Sequence, residues 1–138
     1  MKNLISVIIP FYKKRKYFIK TINSLKNQTY KNFETIVIYD DEDNSDLSFV
    51  RKTLKDIKKK KILVNHKNLG VALARNEGIK ISKGLFVAFL DADDVWHKNK
   101  LKLKLRFMKN KKINFSYTSY QIIDKGESVI KNILAPTE

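Results

Sequence analysis

Short apolar runs alternate with helix-period segments along this chain, and this alternation constrains the fold more than any other feature of the sequence. The first run, residues 4–9, is continuous and rich in β-branched side chains, which is typical of a strand buried on both faces. Strand, helix and strand joined by short connections predict an α/β fold with a mostly parallel sheet covered by helices on both faces. The predicted strands are residues 4–9, 33–39, 61–65, 85–90, 115–123 and 128–134, and the predicted helices are residues 18–25, 49–57, 70–82 and 98–112.

The bulk properties favour one folded, cytoplasmic domain. A chain of 138 residues with 43% apolar side chains can bury a core of its own, and we expect residues 1–138 to form a single domain. The apolar run before Pro10 is too short for a signal peptide, and no run approaches the ~20 residues of a membrane-spanning helix. The absence of cysteine excludes disulfides and thiolate metal sites.

The net charge of +15 favours anionic partners, such as nucleic acid, an anionic membrane face or a phosphorylated metabolite. Nearly all of the excess is lysine, whereas the reading of base edges favours arginine. A solubilising surface explains the same charge. We find no grouping of aromatic and basic residues of the kind that binds single-stranded nucleic acid, so no nucleic-acid partner is expected.

Acidic residues follow two of the predicted strands. The sequence Asp91-Ala92-Asp93-Asp94 comes directly after residues 85–90, and two unit charges ~5 Å apart repel by about 3 kcal/mol at an effective dielectric constant near 20. A protein tolerates such a cluster where a cation or a ligand hydroxyl meets the oxygens. A solvated loop that caps the next helix is the alternative.

The carboxyl ends of parallel strands are where ligands collect in open sheets, so residues at the other strand ends are also candidates for a binding site. Tyr12, two residues after Pro10, is either a half-buried turn residue or a stacking face for a flat heteroaromatic ligand. Asp40, at the end of the second strand, has two interpretations. It stabilises a turn or caps a helix, or it accepts a hydrogen bond from a base N–H or a ribose hydroxyl. Arg75, in a helix that Gly70 opens, is either an ordinary surface residue or a donor to a phosphate or base.

Several common site types are absent from the sequence. His66 and His97 have no partner at metal-ligand spacing and are expected to be structural or exposed. No glycine-rich dinucleotide loop, phosphate-binding P-loop or nucleophile elbow occurs. Dinucleotide oxidoreductases, P-loop NTPases and serine hydrolases of that type are therefore disfavoured.

Taken together, the ordered segments resemble the N-terminal half of family 2 glycosyltransferases, which have the GT-A fold. The resemblance covers about residues 4–123 and is carried by residues 6–12, 24–30, 33–40, 68–79 and 84–96. It implies a Rossmann-like, three-layer α/β sandwich. It also implies a transferase that moves a sugar, with inversion, from a nucleotide diphosphate sugar, usually a UDP-sugar, to a glycan or lipid-linked acceptor in cell-surface polysaccharide synthesis.

The resemblance also implies roles for individual residues. Tyr12 and Asp40 would hold the base, with Pro10 beside them, and Arg75 would lie near the nucleotide. In the signature formed by Asp91, Ala92 and Asp93, the first aspartate would bind mainly the ribose. Asp93, with Asp91, would hold a divalent metal. Because no histidine or cysteine is near, Mg²⁺ or Mn²⁺ is expected rather than zinc.

The chain also departs from the family pattern. Lys13 stands where asparagine is usual, and Tyr39 stands where the first of two aspartates is usual, so a one-residue slip from Asp40 to Asp41 stays open. Asp124 and Glu127 fall too early to be the catalytic base. We therefore expect the donor-binding half of such an enzyme, without the acceptor-binding part and with the base beyond residue 138.

Two binding hypotheses without catalysis remain beside the enzyme. One is a basic nucleic-acid-binding module, which leaves the acidic strand ends unexplained. The other is a peripheral contact of the basic helix 98–112 with an anionic membrane, since each lysine near such a surface contributes about 1 kcal/mol. The alternative for that helix is that Leu101, Leu105 and Met108 simply pack on the sheet.

Overall fold

The chain divides into two compact units, with the boundary between Lys102 and Leu103. The computed structural model describes residues 3–136. The first unit has the alternating order that the sequence predicts. Its elements are β1 (Ile5–Phe11), α1 (Arg15–Lys26), β2 (Phe33–Tyr39), a 3₁₀ turn (Asn44–Asp46), α2 (Leu47–Thr53), β3 (Lys60–Val64), α3 (Val71–Ile81), β4 (Phe86–Phe89) and the start of α4 (Lys100–Lys111).

The four strands form one parallel sheet in the order β3-β2-β1-β4. The strand β1 lies at the centre, where Ile8 pairs with Ile36 of β2 on one side and with Phe89 of β4 on the other. A strand between two neighbours needs apolar side chains on both faces, which explains why β1 and β2 are mostly apolar apart from Ser6, Glu34 and Thr35. The predicted parallel sheet is confirmed.

Helices cover both faces of the sheet. On one face Ile8 packs with Ala74 of α3, and a Cβ added to Gly78 would overlap the Ile8 side chain, so α3 approaches β1 closely. Phe11 is three residues from Ile8 and faces the other side, because side chains alternate along a strand. There its ring lies 5.0 Å from that of Phe18 in α1. These two layers fix the positions of the strand ends.

Some element boundaries differ from those predicted. The second helix ends at Thr53 rather than at residue 57. Leu54 and Ile57 are nevertheless buried, in turns whose amides bond to Val50 and Leu54. The apolar pattern therefore reported burial correctly, but burial in a turn has the same pattern as burial in a helix.

A buried carboxylate joins three segments of the first unit. Glu34 accepts hydrogen bonds from the Ser6 hydroxyl at 2.7 Å and from the Lys83 backbone N–H at 2.6 Å, and it pairs with Lys61 at 3.1 Å. The Ser6 hydroxyl oxygen accepts in turn from the Gly84 N–H. A Cβ at Gly84 would lie 2.6 Å from the Ser6 nitrogen, so only glycine fits this close approach. The network fixes the loop that leads into β4.

The second unit contains an antiparallel hairpin of β5 (Tyr120–Ile123) and β6 (Val129–Ile133). Asp124 closes the hairpin by accepting from the N–H groups of Gly126 and Ser128. The strand predicted to begin at residue 115 begins only at Tyr120. Tyr120 pairs with Ile133, the last residue of β6, so the residues before Tyr120 have no strand partner in this hairpin. Among the described residues, no helix is both long and apolar enough to span a membrane.

Candidate functional site

A hollow of about 430 Å³ opens at the carboxyl ends of β1, β2 and β4. We call it the strand-end hollow. It is lined by Pro10, Tyr12, Lys14, Asp40, Asn68, Gly70, Val71, Asp91, Ala92 and Asp93. The topology thus brings together six of the seven residues that the sequence analysis selected. The seventh, Arg75, is not among the lining residues but bonds to one of them, Asp91.

Tyr12 follows the end of β1 and leaves 43% of its surface exposed. The ammonium of the next residue, Lys13, lies 5.1 Å from the ring centroid. Lys13 has φ of 51°, in the left-handed region that lysine adopts at a cost and asparagine adopts more readily. Lys13 therefore carries local backbone strain that asparagine would carry less of.

We expect Lys13→Asn to raise the melting temperature by about 2 to 4 °C, because asparagine relieves part of that strain. A thermal melt followed by circular dichroism would measure the change. Lys16→Asn is the matched control, since Lys16 is also exposed but lies inside α1. An unchanged or lower melting temperature for Lys13→Asn would contradict this explanation.

Asp40 is 2% exposed and organises the loop that enters α3. Its carboxylate accepts from the Leu69 N–H at 3.0 Å, the Gly70 N–H at 2.9 Å and the Asn65 side-chain amide at 2.7 Å. Gly70 has φ of 85°, so the loop turns there before the helix begins. Asp40 lines the hollow, whereas Asp41 accepts from the Asp43 N–H and is not a lining residue.

The unusual Tyr39 has a structural role beside the hollow. Its buried ring stacks on Phe11 at 5.5 Å, and its hydroxyl donates to the Asp43 carbonyl at 2.7 Å. The same oxygen accepts from the Asp46 N–H at 3.2 Å. Burial raises the pKa of Tyr39 above its ordinary value, in the direction that favours the protonated hydroxyl. Tyr39 thereby holds the acidic turn after β2.

Each of the two signature aspartates is paired with its own cation. The Asp91 carboxylate accepts from the Arg75 guanidinium at 2.7 Å, and Asp93 accepts from the Lys14 ammonium at 2.7 Å. The hydrogen bond to Asp93 and its charge raise the pKa of Lys14. Sequence reasoning missed Lys14, because it lies in a run of four basic residues whose members look equivalent.

Backbone contacts fix the acidic loop against α1. The Thr21 hydroxyl donates to the Ala92 carbonyl at 2.9 Å, and the Trp96 N–H donates to the Ser24 hydroxyl at 3.1 Å. Asp94 is not among the residues that line the hollow, although its N–H donates to the Asp91 carbonyl. Desolvation raises the pKa of Asp94, and the charges of Asp91 and Asp93 raise it further.

The oxygen ligands in the hollow suit a hard cation that is shared with a phosphorylated ligand. Within residues 3–136 no group of three or more histidine, cysteine or acidic side chains forms a complete metal cage. Mg²⁺ commonly needs only one or two carboxylates when substrate phosphates and water complete its shell. Asp91 and Asp93 would supply those carboxylates, and the residues that line the hollow include no histidine, cysteine or methionine. The residues therefore fit the expected cation.

Comparison with known proteins gives a consistent result. The sequence model described as Glycosyl transferase family 2 matches residues 6–135. A glucosyltransferase from Escherichia coli, WfgD, named as acting on GlcNAc-diphosphoundecaprenol, is 36% identical over 96% of this chain and 51% of its own. An uncharacterized glycosyltransferase of Rickettsia bellii is 47% identical over 94% of this chain and 18% of its own. The chain thus spans from about a fifth to about half the length of these relatives.

Solved structures agree on the architecture. Staphylococcus aureus TarS 1–349 in complex with UDP-GlcNAc is 34% identical, with a TM-score of 0.69 over 77% of this chain and 31% of that one. A Pyrobaculum calidifontis mannosyltransferase in complex with GDP-Man and Mn²⁺ has a TM-score of 0.70 over 75% of this chain and 32% of its own. Its 20% identity supports the fold alone.

Proposed function

The chain belongs to glycosyl transferase family 2, and from that premise we propose that it binds the UDP-sugar donor of a metal-dependent, inverting transferase. Its fold is the GT-A fold that the sequence resemblance implied, with a parallel sheet flanked by helices. One observation carries the proposal. Tyr12, Asp40, Asp91 and Asp93, which are spread over about eighty positions of sequence, line a single hollow.

The chemistry of the lining residues matches the parts of a nucleotide. The exposed ring of Tyr12 offers a stacking face to a flat base such as uracil. The carboxylate of Asp40 offers an acceptor for a base N–H beside the bonds it already makes. We propose that Asp91, oriented by Arg75, accepts from a ribose hydroxyl.

We propose that Asp93, with Asp91 beside it, holds Mg²⁺ or Mn²⁺. When bound, such a cation supplies a positive charge for the departing diphosphate. Asp93 lines the hollow and 35% of its side chain is exposed, so a ligand from solvent can reach it. The tie between Thr21 and Ala92 keeps the acidic loop in place while a ligand enters.

Only donor binding is assigned to residues 1–138, which we propose act as one donor-binding domain. The acceptor and the catalytic base stay outside this assignment, because the chain spans only part of its relatives. We propose a lipid-linked or glycan acceptor of cell-surface polysaccharide synthesis, by analogy with WfgD and its GlcNAc-diphosphoundecaprenol acceptor. A cytoplasmic location is supported by the absence of cysteine.

A thermal-shift screen of nucleoside diphosphates with Mn²⁺ tests the proposal. UDP at 100 times its dissociation constant is expected to stabilise the chain by about 2.7 kcal/mol when Mn²⁺ is present, and by less without it. In Asp93→Asn the Mn²⁺-dependent part of the shift is expected to disappear, because a neutral amide of the same shape binds the cation poorly.

Glu42→Gln is the matched control, since it removes one carboxylate charge at an exposed position that does not line the hollow. This variant should respond to UDP and Mn²⁺ as the wild type does. Equal shifts for wild type and Asp93→Asn would contradict the role of Asp93. The absence of any shift with every nucleotide would contradict the proposed function.

A further inference from the structure

Helix α1 begins in an unfavourable electrostatic setting. Lys13, Lys14, Arg15 and Lys16 are consecutive around its N-terminus, and its first turn has no acidic residue. Cations at this end oppose the helix dipole. Departures of this kind from local preference occur most often at functional sites.

The members of this basic run have different partners. Lys13 lies over the ring of Tyr12, and Arg15 pairs with Asp46 outside the hollow. Lys16 lies 5.8 Å from the ring of Tyr17, and its side chain is exposed. None of these three side chains has a described hydrogen bond or ion pair with Asp91 or Asp93.

Lys14 alone among the four lines the strand-end hollow. It is the N-cap residue of α1, and its ammonium donates to Asp93 at 2.7 Å across 79 positions of sequence. Its side chain is 44% exposed and that of Asp93 is 35% exposed, so both groups can be reached by a ligand. The Asp93 carboxylate, which we propose binds the divalent cation, is therefore already paired with the ammonium of Lys14.

We propose that Lys14 is a positioning residue that occupies Asp93 in the free protein and makes the binding of a divalent cation there depend on a nucleoside diphosphate. The inference rests on the proposed donor and metal binding and goes one step beyond it. An ammonium on Asp93 reduces the attraction of that carboxylate for a second cation and repels it directly. A diphosphate supplies the negative charge that lets both cations stay in the hollow.

In this exchange the ammonium of Lys14 moves from Asp93 to the diphosphate when the divalent cation binds. The side chain of Lys14 suits such a movement better than that of Arg75. Lysine places a point charge on a flexible four-carbon stem, which can move between two anions without a movement of the backbone. Arg75 is held in place by its bond to Asp91 and by the ring of Phe89, 5.4 Å away. We therefore assign the exchange to the pair of Lys14 and Asp93.

The experiment measures Mn²⁺ binding by electron paramagnetic resonance, with and without saturating UDP, in wild type, Lys14→Met and Lys16→Met. In the wild type, UDP is expected to tighten Mn²⁺ binding by about tenfold or more, within the usual range of coupling between ligands. Lys14→Met keeps the stem but removes the charge. It is expected to bind Mn²⁺ alone about tenfold more tightly, and UDP should then add only a few-fold.

Lys16→Met removes the same charge from the same helix end, and wild-type behaviour is expected of it. Lys14→Gln should reproduce Lys14→Met, which guards against an effect of one substitution on folding. If the Lys14 variants bind Mn²⁺ and UDP with wild-type affinity and coupling, the inference is overturned while the donor site stands. If wild type binds neither UDP nor Mn²⁺ under any condition, the donor site and the inference fall together.

Discussion

Replacing Asp40 by alanine is expected to destabilise the fold by about 3 kcal/mol, because three donors that converge on its carboxylate lose their acceptor at once. Two of them are the backbone N–H groups of Leu69 and Gly70, and the third is the side-chain amide of Asn65. A buried donor without a partner costs about 1 to 3 kcal/mol, and water from the hollow can replace part of this. Urea denaturation followed by circular dichroism would measure the loss.

Two variants separate the hydrogen bonds from other effects at this position. Asp40→Asn keeps the shape and one acceptor oxygen but turns an N–H group toward the loop amides, so an intermediate loss is expected. Asp41→Asn is the neighbouring control, because Asp41 is also buried but accepts only from Asp43 among the bonds described. A loss below about 0.5 kcal/mol for Asp40→Ala would show that the loop does not depend on this carboxylate.

The same contacts show how far the sequence could predict the site. The position of Asp40 at the end of β2 follows from the apolar run before it, and the meeting of strand ends follows from the parallel topology. Its partners do not follow from the sequence, because two of them are main-chain N–H groups that every residue carries. From the sequence, a role in the turn and a role in base binding are alternatives for Asp40, whereas one carboxylate can serve the loop and still line the hollow.

Lys14 illustrates a different limit. Its bond to Asp93 joins residues 79 positions apart, and nothing in a run of four basic residues distinguishes the one that turns inward. The departures at Lys13 and Tyr39 were visible in the sequence, but their physical meaning required backbone angles and packing. The apolar pattern of the sequence therefore predicted the helices and strands, whereas the ion pairs depend on the tertiary structure.

The hairpin marks the limit of periodicity. Residues 115–119 have the alternation of a strand but form none, because strand formation needs a partner along the whole length and β6 is short. The antiparallel pairing is separate from the parallel sheet of the first unit. The alternation of apolar and polar residues indicates a tendency to form a strand, but it does not show whether a partner strand is available.

Glu34→Ala is expected to destabilise the first unit by about 3 kcal/mol, since it leaves the Ser6 hydroxyl and the Lys83 N–H without their acceptor and Lys61 without its partner. The loop that leads into β4 should loosen with it, because Ser6 also receives the Gly84 N–H. Hydrogen exchange at Lys83 and Gly84 would locate the change, and urea denaturation would measure its size. Glu77→Ala is the control, since Glu77 pairs only with Lys80 on the surface among the bonds described.

The pH dependence of stability gives this prediction a second test. Burial raises the pKa of Glu34, but the hydrogen bonds from Ser6 and Lys83 and the charge of Lys61 outweigh burial and hold the pKa below its ordinary value. A carboxyl with a lowered pKa in the folded state stabilises the fold fully above its unfolded pKa of about 4.3 and progressively less as the pH falls through its folded value. The stability gap between wild type and Glu34→Gln should therefore be widest at neutral pH and narrow below about pH 4. A gap that stays constant down to pH 2.5 would show that the ionised form of Glu34 is not what stabilises the loop.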